Sequence, residues 1–162
     1  MNTLLGLIKS IKEITGNDPC KKTVQKIIYL IQEINGDLGF DYSIHFYGPY
    51  SADLDFEIRD LSIHGYLSMN ITDNGHILSV NDPSNALPVD QAIQNTIAHF
   101  RSKNPSCLEL LATTLYVQRE IQIASTQKII DGVIRIKGTK YPKPQINTAI
   151  DELVSYNYFN IA

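Results

Sequence analysis

Apolar residues recur every three to four positions in the first third of the chain, which is the spacing of a helix with one buried face. Residues 3–15 form a first predicted helix on this pattern, with Gly16–Asn17 and Pro19 as stop signals. Residues 22–34 form a second, ended by Asn35–Gly36. The shorter aromatic stretch over residues 40–46 is compatible with either a strand or a loop.

The pattern changes after a sharp turn at Gly48–Pro49. Ser51 is a suitable N-cap for a third helix that continues to about residue 64, and Gly65 suits the left-handed position that ends a helix. Apolar and polar residues then alternate over 67–72, which predicts a half-buried strand. Asn74–Gly75 predicts a tight hairpin turn, with the return strand over 76–80. Three helices followed by a hairpin predict a winged-helix-like unit with residues 67–80 as its wing.

The second half of the chain is predicted to be helical. Pro88 opens a fourth helix, and further helices are expected over 108–118, 126–136 after the N-cap Ser125, and 145–156. We therefore expect a mainly α (α+β) fold in a single compact domain, residues 1–162. Residues 1–82 would form its winged-helix-like half and residues 83–162 its helical half.

One internal similarity suggests a second, degenerate winged-helix unit in the helical half. The segments 58–67 and 150–159 both have a leucine near the helix end, then Gly65 or Asn157 four residues later, then an aromatic and an apolar residue. Glycine and asparagine both tolerate a positive φ. Chance similarity between two amphipathic helix ends explains the pattern equally well.

The composition excludes several classes of protein. The chain has 162 residues, a net charge of −3 and two cysteines, which is too few for a disulfide framework or a cysteine zinc site. We expect reduced thiols, with Cys107 buried, in a cytoplasmic protein without a membrane span. Glycine-rich phosphate loops, paired metal-ligand spacings and nucleophile motifs are all missing from the sequence. We therefore predict no catalytic residue, no metal and no cofactor.

The charges are unevenly distributed along the chain. The third helix holds Asp53, Asp55, Glu57 and Asp60 against Arg59, so it would be repelled from DNA and is better suited to solvent or to a basic partner. A basic region lies later, at Lys128, Arg135, Lys137, Lys140 and Lys143. Lys21, Lys22 and Lys26 cluster at the start of the second helix, where cations oppose the helix dipole. That cluster is either a solvated face or a contact patch for an anion or partner.

Several stretches resemble the bacterial YwgA-like family, and the resemblance covers most of residues 20–120. They are Lys22–Thr23, Gln25–Lys26, Tyr29–Leu30, Tyr47-Gly48-Pro49-Tyr50-Ser51, Leu61 with Gly65–Tyr66, and the leucine-rich stretch 108–113. More remotely, the Lys/Gln helix and the Tyr-Gly-Pro turn are similar to the Panacea domain of SocA-type antitoxins. That resemblance implies a domain that neutralises or presents toxins through protein contacts. This chain has Tyr50–Ser51 after the proline, where that domain commonly has an apolar residue.

The matching residues also have structural interpretations. Gly48–Pro49 sets a turn, and Gln25 and Lys26, if they face it, would hold its carbonyl groups. Tyr29 and Tyr47 are more typical of aromatic residues at the edge of a core than of ligand contacts.

Our first functional hypothesis is a non-enzymatic regulatory module, antitoxin-like, that acts through contacts with a protein partner such as a toxin. The candidate partner-binding residues are Lys22, Gln25, Lys26, Tyr29, Tyr47, Tyr50, Asp53 and Glu57. The alternative is a winged-helix DNA-binding regulator that uses Lys128, Arg135, Lys137, Lys140 and Lys143 in the basic 128–143 region. An enzyme of unrecognised type is the third hypothesis, and a homodimer stays open in all three.

Overall fold

The computed structural model describes residues 1–122 and 125–161. This part of the chain is mainly helical with two small antiparallel hairpins, so the predicted mainly α (α+β) fold class is confirmed. The helices are α1 (Thr3–Thr15), α2 (Lys21–Asn35), α3 (Ala52–Ile63), α4 (Gln91–His99), α5 (Pro105–Ile121), α6 (Thr126–Lys137) and α7 (Lys143–Ser155). The strands are β1 (Ser43–His45), β2 (Gly48–Tyr50), β3 (Leu67–Thr72) and β4 (Gly75–Val80).

The helix ends follow local capping rules closely. The Asn2 side chain accepts a hydrogen bond from the Leu5 amide at 2.9 Å and starts α1, which has the predicted bounds. The Ser51 hydroxyl accepts from the Leu54 amide at 3.2 Å, so the predicted N-cap of α3 is confirmed. Gly65 follows α3 with a φ of 80°, as its predicted left-handed conformation requires.

The hairpin predicted over 67–80 is present as β3 paired with β4, in register from Leu67 opposite Val80 to Thr72 opposite Gly75. Its turn lies at Asp73–Asn74, one residue earlier than predicted. Gly75 takes a φ of 100° at the head of β4, a position that glycine fills at little steric cost. The Thr72 hydroxyl accepts from the Asn74 amide at 3.1 Å and fixes this geometry.

The second hairpin settles an open assignment. Residues 43–45 of the ambiguous aromatic stretch form β1, which pairs with β2 so that His45 lies opposite Gly48. The prediction of a turn at Gly48–Pro49 is therefore wrong, because these residues belong to β2, the second strand of a tight hairpin that turns at Phe46–Tyr47.

Three helix starts in the second half differ from the prediction, and the smallest difference is at α7, which begins at Lys143 rather than at residue 145. Helix α4 begins at Gln91 rather than near Pro88, because the Asp90 side chain caps the Ile93 amide at 2.9 Å. Helix α5 begins at Pro105, since Asn104 caps the Cys107 amide at 2.8 Å. Cys107 thus falls in the first turn of α5 and is exposed, so the prediction of a buried thiol is wrong.

The core is centred on α2, which packs against α4 and α5, while α5 also packs against α6 and α7. Residues 27–31 of α2 are all buried, and buried side chains from both halves of the chain belong to one hydrophobic cluster. Among the described residues, no helix combines the length and the apolar character needed to cross a bilayer.

The internal similarity between segments 58–67 and 150–159 extends to backbone geometry. Tyr66 donates its amide hydrogen to the Leu61 carbonyl at 2.9 Å, and Tyr158 donates to the Leu153 carbonyl at 3.1 Å. Asn157 has a φ of 61°, which matches the left-handed Gly65. Both helices therefore end in the same type of C-terminal cap.

Candidate functional site

A cleft of about 620 Å³ lies where the starts of α2 and α5 meet the turns of both hairpins. From the α2 side it is lined by Cys20, Lys21, Lys22, Gln25 and Lys26. The β1–β2 hairpin contributes His45, Tyr47, Gly48 and Tyr50, and the β3–β4 turn contributes Asn74, Gly75 and His76. The remaining wall consists of Pro105, Ser106, Glu109 and Lys140. Residues far apart in sequence thus meet at one site.

Gln25 holds the segment that leads from β2 into α3, beside this cleft. Its side-chain amide donates to the Ser51 carbonyl at 2.9 Å, and its side-chain oxygen accepts from the Ser51 amide at 3.0 Å. The Lys26 ammonium donates to the Pro49 carbonyl at 2.5 Å. All of these groups are buried. The prediction that Gln25 and Lys26 hold carbonyl groups within residues 47–51 is confirmed, and the two carbonyls are those of Ser51 and Pro49.

Gly48 lets strand β2 approach α5 closely. A Cβ atom at this position would lie 2.8 Å from the Thr113 hydroxyl oxygen, which is shorter than a normal contact. The φ of Gly48 is 89°, a conformation that side chains with a Cβ atom rarely adopt. Both the backbone angle and the packing therefore require glycine here.

Lysine side chains surround one carboxylate at the base of the cleft. Glu109 accepts from the Lys140 ammonium at 2.7 Å and from the Lys137 ammonium at 2.5 Å, and Lys137 also donates to the Phe46 carbonyl at 2.6 Å. Burial alone would raise the pKa of Glu109, but the hydrogen bonds from the two lysines outweigh burial and lower it. Glu109 is therefore ionised and anchors the α6–α7 connection to α5.

Lys26 is the most perturbed cation of the cleft. Its side chain is buried, and that burial, with further repulsion from Lys137 and Lys22, lowers the pKa of Lys26 to about 8. Attraction to Glu109 opposes the shift without cancelling it. Burial is thus the main cause of the lowered pKa of Lys26, and repulsion from the neighbouring lysines adds to it.

Tyr47 forms the exposed rim of the cleft. Its ring lies 4.8 Å from the Lys22 ammonium and 5.5 Å from that of Lys140, both within cation–π range. Tyr47 is 52% exposed and its neighbour Phe46 is 75% exposed. The interpretation of Tyr47 as an aromatic residue at the core edge is therefore wrong, because the tight β1–β2 turn projects it outwards. Tyr29 is a structural residue as expected, but it lies inside the core rather than at its edge, where it is buried and packs edge-on against Tyr42 at 5.0 Å.

The acidic helix α3 is less negative at its surface than its sequence suggests. Asp55 is buried and forms ion pairs with Lys21 and, at 2.9 Å, with Arg59. Glu57 accepts a hydrogen bond from the Asn2 side chain at 3.2 Å, and Asp53 is exposed. Asp53 and Glu57 do not line the cleft, whereas Lys22, Gln25, Lys26, Tyr47 and Tyr50 do. Five of the eight predicted partner-binding residues are thus brought together at one place.

The predicted basic surface is divided by the fold. Lys128, Arg135 and Lys143 are exposed. The Lys137 side chain is only 2% exposed and is paired with Glu109, so it cannot reach a phosphate on an outside surface. Lys140 points to the same glutamate and to the cleft.

Sequence reasoning missed Glu109, Ser106, His45 and His76 as residues of this site. Glu109 stands within an apolar run on α5, and such a lone carboxylate among leucines was the one available signal that it meets buried cations. Across the described residues, no three His, Cys, Asp or Glu side chains come together as a metal-ligand set.

The fold and cleft define a mainly helical α+β protein with a cationic cleft walled by two hairpins. No family model matches the chain. The chain is similar to the uncharacterised protein YwgA of Bacillus subtilis (strain 168), with 29% identity over 106 residues. This match covers 59% of the present chain and 63% of YwgA, so the chain spans less than two-thirds of that protein. The similarity supports the YwgA-like part of the resemblance.

Proposed function

We propose that this protein is a non-enzymatic regulatory module that binds another protein through the cleft and its aromatic rim. The observation that supports this most strongly is the combination of exposed Phe46 and Tyr47 with the cationic cleft beside them. Aromatic residues next to a charged pocket are typical of the energetic centres of protein interfaces. A protein with a net charge of −3 that concentrates lysines in one cleft favours an acidic partner segment at that place.

This proposal changes the expected chemistry of the partner. The sequence pointed to the acidic α3 as a surface for a basic partner, but the buried ion pairs of Asp55 reduce its exposed charge. The cleft, by contrast, keeps Lys22 exposed and within reach of a ligand. An antitoxin-like role is a more specific form of the proposal, and it rests on the remote Panacea resemblance alone.

Capture experiments with two matched lysine variants test the proposal. Lys22→Glu reverses an exposed charge near the start of α2, in the cleft, and Lys128→Glu makes the same change near the start of α6, outside it. We expect a partner that is captured by the wild type and by Lys128→Glu to be lost with Lys22→Glu. Equal capture by all three proteins, with unchanged circular dichroism, would contradict a partner site at the cleft.

The DNA-binding alternative is tested with a double variant of α6, and Lys22→Glu serves as its control. It depends on the exposed cations of α6 and α7, among them Lys128 and Arg135. If the protein binds DNA, Lys128→Glu with Arg135→Glu will abolish an electrophoretic shift that Lys22→Glu leaves in place. We expect no shift at moderate salt from the wild type, because the exposed cations that remain are few.

A further inference from the structure

The cleft has an excess of positive charge that no group of the described chain balances. Lys22, Lys26 and Lys140 line the cleft together with the single carboxylate of Glu109, which also pairs with Lys137, so four positive charges stand against one negative. Asp55, the nearby buried carboxylate, is already paired with Lys21 and Arg59. The cleft therefore has about three positive charges in excess, in a protein whose net charge is −3.

Such an excess is costly where the charges are buried. Lys26 is 5% exposed and the Lys137 side chain 2% exposed, so neither ammonium group has much water around it. Lys137 is paired with Glu109, whereas Lys26 has only the Pro49 carbonyl as a partner, and burial of a charge without a counter-charge is unfavourable. The lowered pKa of Lys26 is one consequence of this cost. An anion in the cleft would remove the repulsion.

We propose that this cleft binds a small phosphate-bearing ligand, with the phosphate between the Lys22, Lys26 and Lys140 ammonium groups. Each ammonium group has three donors. Lys26 uses one of them on the Pro49 carbonyl and Lys140 one on Glu109, so donors remain on both. Ser106 also lines the cleft, and its hydroxyl is engaged with the Tyr141 hydroxyl at 3.3 Å.

The backbone supports the same ligand. Lys22 lies in the first turn of α2 and Ser106 in the first turn of α5, so both helices begin at the cleft wall. Cys20, the N-cap of α2, makes no side-chain capping hydrogen bond. Amide hydrogens in the first turn of a helix attract anions. Those of α2 add to the field of the lysines, whereas in α5 Pro105 has no amide hydrogen and Asn104 caps that of Cys107.

A phosphate fits the charge balance better than a carboxylate does. A phosphate monoester carries about −1.5 to −2 charges at pH 7 and has three acceptor oxygens. It would offset about half to two-thirds of the excess, whereas one carboxylate offsets about a third of it. Lysine is also a common point-charge ligand for phosphate.

NMR titration of the isotope-labelled full chain tests this inference. The probes are inorganic phosphate, a nucleoside monophosphate and the corresponding nucleoside, each added at constant ionic strength with chloride as balance. We expect saturable shifts at Lys22, Gly48 and Ser106 with at least one phosphate-bearing probe, and none with the nucleoside. Tighter binding of the monophosphate than of inorganic phosphate would identify a nucleotide-like ligand, and the reverse would identify free phosphate.

Variants locate the site. Lys22→Gln removes one ammonium group without breaking an ion pair of the described chain, and we expect it to weaken phosphate binding ~5-fold or more. Lys128→Gln, outside the cleft, is the matched control and should bind as the wild type does. Absence of saturation with both phosphate-bearing probes, or equal affinity of the two variants, would overturn the inference. Because no partner protein is present, that failure is separate from any failure to capture a partner.

Discussion

The replacement of Gly48 by alanine tests the close packing of β2 against α5 beside the cleft. Gly48 and Gly39 have nearly the same backbone angle, with φ of 89° and 86°. Alanine at either position meets the left-handed penalty of about 1–2 kcal/mol. At Gly39 nothing lies within 4 Å of the added Cβ atom, whereas at Gly48 it would lie 2.8 Å from the Thr113 hydroxyl oxygen. Overpacking of that kind adds about 1–3 kcal/mol.

We therefore expect Gly39→Ala to lower the free energy of unfolding by about 1–2 kcal/mol and Gly48→Ala by roughly 2–5 kcal/mol. Urea unfolding followed by circular dichroism measures both, provided that the m-value is unchanged. Thr113→Ala combined with Gly48→Ala should recover part of the loss, since it removes the clashing group. Equal losses at the two glycines would refute the account of the close approach to α5.

Two further predictions concern the α2 side chains that hold the turn. Gln25→Met leaves the buried amide of Ser51 without a partner, while the Ser51 carbonyl still accepts from the Asp55 amide at 3.2 Å, so we expect a loss of about 1–3 kcal/mol in urea unfolding. The exposed control Gln127→Met should lose less than about 0.5 kcal/mol, and a similar small loss for Gln25→Met would contradict the clamp. Lys26 has a lowered pKa when folded, so between about pH 8 and 10 the unfolded chain binds more protons and stability should rise with pH. One titrating group can contribute at most about 1.4 kcal/mol per pH unit, or about 2.8 kcal/mol over these two units. We expect a rise in the free energy of unfolding of about 1–2 kcal/mol, and a smaller rise in Lys26→Met. An undiminished rise in that variant would assign the effect to other groups.

The parts of the fold that were predictable from sequence depend on local chemistry. Ser51 and Gly65 mark the ends of α3 because each acts on backbone groups within a few residues. The hairpin over 67–80 followed from alternation along the strands, which needs no knowledge of the rest of the chain. Its turn was misplaced by one residue because Asn74–Gly75 fits more than one turn geometry, and the contacts of Thr72 decide between them.

The cleft was only partly predictable, because it depends on contacts between distant segments. Lys22, Gln25 and Lys26 were recognisable as a cluster, being close in sequence. Their meeting with Glu109 depends on how α2 packs on α5, which no pattern within either helix encodes. For the same reason Lys137 was assigned to an outer basic surface, although its partner lies 28 residues earlier in the chain.

The most direct test of the account is to measure whether the cleft binds a negatively or a positively charged ligand. Fluorescence anisotropy with two labelled peptides of equal length, one rich in glutamate and one rich in lysine, each containing a single tyrosine, measures it. We predict saturable, salt-sensitive binding of the glutamate peptide to the wild type and to Lys128→Glu, with clearly weaker binding to Lys22→Glu. Binding of the lysine peptide in preference, or equal binding of the glutamate peptide to all three proteins, would contradict a cationic binding cleft.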